Sequence, residues 1–240
     1  MGLNRIFYHV TTFLWDFRYR LRGDYSQFGE QEFLKKHLPS DLSEVVFIDI
    51  GAHTPVKCSN SYFLYQAGSS GIAVDAISSF APHWNSWRSR DLFLNRVVVG
   101  SDYEGEDYVD FFRASRAQEL LSTASLDREL ELSQLGTKFD VERIKVLNIV
   151  SLLRMFNDLF SKAPDLVLVD VEGMDKVLIE SIDGCSDENL LPNFIFFEQL
   201  DSHIQGIHLT NYSLLAEFVP VDQFHARSLL FQKTTTSLQR

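Results

Sequence analysis

Apolar positions along the chain follow two periods. Residues 45–50 (VVFIDI) form a nearly continuous β-branched and aromatic run interrupted only by Asp49, the pattern of a strand covered on both faces of a parallel sheet. Runs of the same kind recur at 71–78 (GIAVDAIS), 96–100 (RVVVG), 145–150 (KVLNIV), 165–173 (DLVLVDVEG) and 193–199 (NFIFFEQ). Residues 108–113 alternate as an edge strand would. Helical periods lie between these runs. Phe33, Leu34 and Leu38 share a face, with Gln27 and Glu30 on the polar side and Pro39 as the stop. Tyr62, Phe63 and Tyr65 belong to a helix ended by Gly68. Ser151 can cap another through Phe160, and Gly173 opens one that carries Val177, Leu178 and Ile182. Strands alternating with helices predict an α/β fold around a mostly parallel sheet. Residues 218–224 and 228–233 predict an antiparallel hairpin at its edge.

The first 23 residues predict a separate amphipathic helix over about 3–22. Ile6, Val10, Phe13, Leu14, Phe17 and Leu21 form one stripe, and Arg5, Arg18, Arg20 and Arg22 line the other sides. His9, Asp16 and the arginines leave no apolar run long enough for a membrane span or a signal sequence, and MGLNRI lacks the Ser or Thr of a myristoylation site. The expected location is therefore the cytoplasm. The helix is expected to pack on the domain or on a second subunit in a homo-oligomer, ahead of the alternative of docking on a membrane surface. The remaining residues, 24–240, read as one domain, with a poorly patterned, insertion-like region at about 103–143 that is placed to shape a substrate pocket.

Composition narrows the classes. A chain of 240 residues with 45% apolar residues can bury one full sheet core. Its net charge of −11 argues against binding a nucleic-acid backbone, which needs clustered Lys and Arg. Cys58 and Cys185 have no short-spaced partner, so they read as reduced and structural.

The candidate chemistry gathers where strands end. Gly51 and Ala52 follow the first strand in a turn of the kind that binds nucleotides in doubly wound folds. Asp75 lies about two dozen positions further on, followed by Ala76, where a carboxylate can accept both ribose hydroxyls. It could equally cap the next helix. Asp170, Glu172 and Glu198 end two further strands, and carboxylates there are costly for stability alone. Glu172 could instead complement the dipole of the helix after Gly173. His53, His203 and His208 read first as loop residues, although His53 adjoins the glycine turn. No GxGxxG follows the first strand, which disfavours a nicotinamide dehydrogenase.

These pieces in order resemble the FkbM family of S-adenosylmethionine-dependent methyltransferases: YSQFGE at 25–30, FIDIGAHTP, SNSY at 59–62 with Leu64 and Tyr65, GIAVDA, RVVVG and LVDVEG. The resemblance covers about residues 25–200. Gln31 and the pair Ser69 and Ser70 depart from the family pattern. It implies a Rossmann-like seven-stranded class I methyltransferase sheet ending in an antiparallel hairpin. It also implies a cofactor site in which Asp49, Gly51 and Ala52 approach the methionine part, with Asn60 close by. Asp75 would bind the ribose, Ser101 or Asp102 would flank the adenine, and Gln27 and Glu30 would close over the cofactor. The expected reaction is methylation of a hydroxyl on a sugar, glycan or natural product. Such a transfer needs an in-line arrangement and proton removal, for which Asp170, Glu172 and His53 are the catalytic candidates and His203 a further base. A divalent cation such as Mg²⁺, held by Asp170, Glu198 and Gln199, is a second way to lower the hydroxyl pKa. The competing class is a non-catalytic binding or assembly module that docks through the N-terminal helix.

Overall fold

A computed structural model of the chain describes residues 3–115, 121–199, 207–220 and 227–234, with the backbone alone for 3–9 and 199. The central sheet has seven strands: β1 (Val46–Ile50), β2 (Ser70–Asp75), β3 (Leu92–Asn95), β7 (Leu166–Val169), β8 (Phe194–Gln199), β9 (Tyr212–Phe218) and β10 (Arg227–Lys233). Their spatial order is β3-β2-β1-β7-β8-β10-β9. The first five are parallel neighbours, and β10 is antiparallel to both β8 and β9. This is the mostly parallel seven-stranded sheet with an antiparallel end that the resemblance implies, the last strand inserting between β8 and β9. The hairpin differs from the expectation at 218–224: its first strand is Tyr212–Phe218, and residues 221–226 lie outside the described set.

Both faces of the sheet are covered, which explains the unbroken apolar runs. On one side Ile48, Ile50, Val167, Val169, Ile195 and Phe197 meet Leu152, Phe156, Leu178 and Ile182 of α6 (Ile149–Phe160) and α7 (Asp175–Asp183). On the other, Phe47, Leu166, Leu168, Phe194 and Phe196 meet Leu34, Phe63 and Leu64 of α2 (Glu30–His37) and α3 (Tyr62–Ala67). The period-2 alternation along each strand sorts neighbouring apolar residues to opposite layers.

The third strand of the main sheet is Leu92–Asn95, not RVVVG. Val97–Val99 (β4) turns away instead and pairs in parallel with β6 (Phe139–Asn148), which is antiparallel to β5 (Tyr108–Ala114). The segment 91–95 (DLFLN) is short and half-exposed, so it lacked the apolar run that marks a central strand. Asn148, rather than Ser151, caps α6 by accepting from the N–H groups of Val150 and Ser151 at 2.9 and 3.4 Å. The helix after LVDVEG starts at Asp175. Glu30 is buried, not on a polar face, and accepts from the N–H of Phe28 at 2.8 Å.

The helix α1 (Leu3–Arg22) presents its polar side to the domain. Thr12, Asp16 and Tyr19 are buried, and Asp16 accepts hydrogen bonds from the hydroxyls of Tyr25 and Tyr62 at 3.2 and 3.4 Å. The expected packing of the apolar stripe is therefore reversed: Val10, Phe13, Leu14, Phe17 and Leu21 are each more than half exposed. An aromatic cluster of Tyr19, Tyr25 and Tyr62 with an acceptor at its centre outcompetes the stripe as the docking face.

Candidate active site

Two clefts open at the carboxyl ends of the parallel strands and share Gly51, His53 and Asp170 on their walls. The shared wall arises from a tight approach of β1 to β7. Gly51 has φ +83°, and a Cβ there would stand 1.8 Å from the carbonyl oxygen of Asp170. Its N–H donates to the Val74 carbonyl at 2.9 Å, and the Asp170 N–H donates to the Ile50 carbonyl at 2.9 Å. The glycine is thus required by the chain's own backbone, and the turn it permits opens both clefts.

The first cleft encloses about 650 Å³ including its mouth, within the usual range for small-molecule sites. Its walls carry Ile77, Val97, Phe111, Ala124 and Met174, with Asp75 and Ala76 at the end of β2. Asp75 is buried and accepts from the N–H groups of His53 at 2.9 Å and Ile77 at 2.7 Å, one on each oxygen. These bonds fix the carboxylate at the cleft edge. His53 adopts φ +47°, its carbonyl accepts from the Trp84 indole N–H at 2.8 Å, and its ring meets Phe80 edge-on at 4.6 Å.

The second cleft, of about 660 Å³, is polar and acidic. Gln27, Glu30, Asp49, Ala52, Asn60, Asp170 and Glu198 line it. Asn60 Oδ1 is buried there and finds no hydrogen-bond partner among the described residues, an acceptor that a ligand's N–H can satisfy. Asp49 accepts from the hydroxyl of Ser61, which also receives Arg88 Nη1 at 2.9 Å. Burial nevertheless raises the Asp49 pKa, with Ser61 and Arg88 opposing.

The acids form a field of one sign. Asp170 is solvent-accessible on the shared wall of the two clefts. Its pKa lies well above the ordinary carboxylate value through that enclosure and through Glu198, Asp175, Glu172 and Asp49. Its solvent accessibility tempers the first cause, and the four neighbouring carboxylates push in the same direction. Glu198 is pushed up to about 7 by desolvation, with Glu172, Glu30 and Asp175 adding. Glu172, at φ +31°, is raised by burial while Arg128 lowers it. Arg128 donates to it from Nε at 3.2 Å and from Nη2 at 3.0 Å.

That last pair was not foreseen. Glu172 does not complement a following helix; it ties down α5 (Leu126–Gln134), the helix of the insertion-like region. Thr123 donates from its hydroxyl to the Glu172 carbonyl at 2.6 Å, and Ser122, Thr123 and Ala124 complete the first cleft. No spacing in the sequence links Arg128 to a residue 44 positions away.

Ser101 and Asp102 are exposed and line neither cleft; Arg96, Val97 and Val98 stand there instead because β4 leaves the main sheet. His208 is exposed and lines neither cleft. His203 and the side chain of Gln199 lie outside the described residues. Among the described residues no three His, Cys, Asp or Glu side chains converge to hold a metal ion. Both cysteines are free thiols, and Cys58 borders the second cleft.

No protein-family model matches the chain, and no curated protein sequence matches it. Solved structures of similar shape include a TehB-like SAM-dependent methyltransferase from Corynebacterium glutamicum, 9% identical over 94% of this chain and 98% of that one, with a TM-score of 0.42. Another is the 1,6-didemethyltoxoflavin-N1-methyltransferase of Burkholderia thailandensis, solved with 1,6-didemethyltoxoflavin and S-adenosylhomocysteine. It is 13% identical over 98% of this chain and 92% of that one, with a TM-score of 0.40.

Proposed function

We propose that the chain is an S-adenosylmethionine-dependent methyltransferase of the FkbM type, acting in the cytoplasm on a hydroxyl of a sugar, glycan or natural product. The observation that carries this reading is the pair of clefts meeting at Gly51, His53 and Asp170: one apolar with a fixed carboxylate, the other acidic. The first suits a purine nucleoside, with Asp75 on the ribose hydroxyls and Phe111 and Ile77 against the base. The second suits the amino-acid end, whose ammonium would satisfy Asn60 Oδ1. When bound, the cofactor supplies an electrophilic methyl group on a cationic sulfonium.

The residues of the chain then have separable tasks. The acid field of Asp170, Glu198 and Glu30 favours a cation at the junction, and a bound cation in turn lowers the raised pKa values of Asp170 and Glu198. Glu198, at about 7, is the carboxylate poised to accept the acceptor's proton near neutral pH. The raised pKa of Asp170 makes its carboxyl hold a proton more readily than an ordinary carboxylate, and a cationic ligand opposes that shift. The Arg128–Glu172 pair holds the insertion against the first cleft and excludes water. Of the set expected to hold a divalent ion, Asp170 and Glu198 line the second cleft, and the side chain of Gln199 lies outside the described residues. We assign the proton step to the carboxylates because the Glu198 pKa is raised to about 7.

Titration calorimetry with S-adenosylmethionine and S-adenosylhomocysteine tests the reading, and binding of neither would overturn it. Binding without turnover on any hydroxyl acceptor would instead favour a non-catalytic module.

A further inference from the structure

The stripe Val10, Phe13, Leu14, Phe17 and Leu21 points away from the domain along α1, and its exposure has no role in the proposed reaction. We infer that this helix face docks the protein on an anionic lipid bilayer, lying in the headgroup region with Phe13, Phe17 and Leu21 among the acyl chains.

Charge complementarity selects the occupant. The chain carries −11 overall, yet the exposed ionised side chains described on α1 are Arg18, Arg20 and Arg22, while its one acid, Asp16, is buried against the domain. Lys57 adds a further cation beside the helix, 5.0 Å above the Trp15 ring. Helical geometry puts Arg18 and Arg20 on opposite flanks of the stripe; Arg20 Nε pairs with Asp16 at 2.9 Å, and Arg18 and Arg22 are the long side chains that can reach headgroup phosphates while the apolar face is buried. At physiological salt the acids elsewhere on the molecule are screened beyond about 8 Å, so the helix presents its own sign to the surface.

Size argues against a second copy of the chain. From Val10 to Leu21 the stripe is about 17 Å long and about 10 Å wide, far below the roughly 800 Å² per partner of a stable interface. Pairing two such faces would also bring both sets of arginines together. Among the described residues no helix is long and apolar enough to cross a membrane, so the helix lies on the bilayer rather than through it. Tyr19 contacts Cys58 at 3.7 Å, and Cys58 borders the acidic cleft. Tyr19 is on the side of α1 opposite the stripe, so docking holds that cleft's loop about one helix thickness, roughly 10 Å, from the lipid surface.

Vesicle flotation with the full chain tests the inference, using phosphatidylcholine vesicles and vesicles that also contain phosphatidylglycerol. Binding is expected only to the second kind and is expected to weaken in high salt. The double variant Phe13→Ser with Phe17→Ser should lose roughly a hundredfold in partitioning, since two phenyl groups no longer leave water. Arg18→Gln with Arg22→Gln should lose roughly thirtyfold on anionic vesicles. Both should keep the wild-type melting temperature, because these side chains are exposed. Equal binding to neutral vesicles, or binding that survives the Phe substitutions, overturns the inference. So does absence of vesicle binding, whether or not sedimentation equilibrium shows a dimer that the Phe variant breaks.

Discussion

Gly51 and Asp170 are locked together by backbone: no side chain fits on residue 51 without striking the Asp170 carbonyl, 1.8 Å from where a Cβ would be. The two strand tips that carry the shared wall of both clefts therefore meet backbone to backbone, with the Asp170 N–H donating to the Ile50 carbonyl at 2.9 Å.

Gly51→Ala must move the Asp170 carbonyl and also hold an alanine at φ +83°. The conformational part alone costs about 1 kcal/mol, and displacing a buried backbone contact adds more. The expected outcome is a loss of at least about 3 kcal/mol in urea unfolding, together with loss of cofactor binding. A variant of wild-type stability would show that the two tips are not coupled.

Arg88 and Asp91 form a second rigid element behind the turn. Both side chains are fully buried, with Nε to Oδ2 at 2.6 Å. Asp91 also accepts from the Gly71 N–H at 2.9 Å, and the guanidinium lies 4.3 Å from the Trp84 ring centroid. Arg88→Met leaves Asp91 buried with its charge uncompensated, which costs about 3–5 kcal/mol. Chemical denaturation should register that loss, whereas a cost below about 1 kcal/mol would mean that the pair is replaceable.

These two cases mark how far the sequence could be read. Strands β1, β2, β7 and β8 were legible because burial on both faces writes itself as an unbroken apolar run. The glycine turn and the place of Asp75 at the end of β2 were legible from chain position. Arg88 and Asp91 were not, since charged types are mostly exposed and their spacing is ordinary. Periodicity revealed that α1 has an apolar stripe, but not that Asp16 and Tyr19 would win the contact with Tyr25 and Tyr62. The departure of β4 from the main sheet, with Ser101 and Asp102 lining neither cleft, was not legible, because strand pairing is a tertiary choice that a local pattern does not encode.

The tether between Arg128 and Glu172 makes a prediction about the insertion. A double-mutant cycle with Arg128→Met and Glu172→Gln should give a coupling of about 1–2 kcal/mol, because both side chains are largely buried, at 20% and 14% exposure. Freed of Glu172, α5 should show faster amide exchange over Ser125–Arg128, and cofactor affinity should fall with it. Additive effects would separate the pair from closure of the cleft.

Glu198 links the site to pH. Its folded pKa of about 7 exceeds the ordinary 4.5, so between those values the folded protein binds more protons than the unfolded chain. Stability from this group is therefore full below about pH 4.5 and is lost as pH rises through 7, by up to about 3 kcal/mol. Glu198→Gln should flatten that part of the slope in urea titrations at pH 5 and pH 7.5. Ligand binding should run the other way. A sulfonium cation prefers the ionised carboxylate, so affinity for S-adenosylmethionine should rise through pH 7 with proton release. S-adenosylhomocysteine has no cationic sulfur and should respond less. Equal pH dependence of the two ligands would remove the acid field from cofactor discrimination and leave Glu198 only its role as proton acceptor.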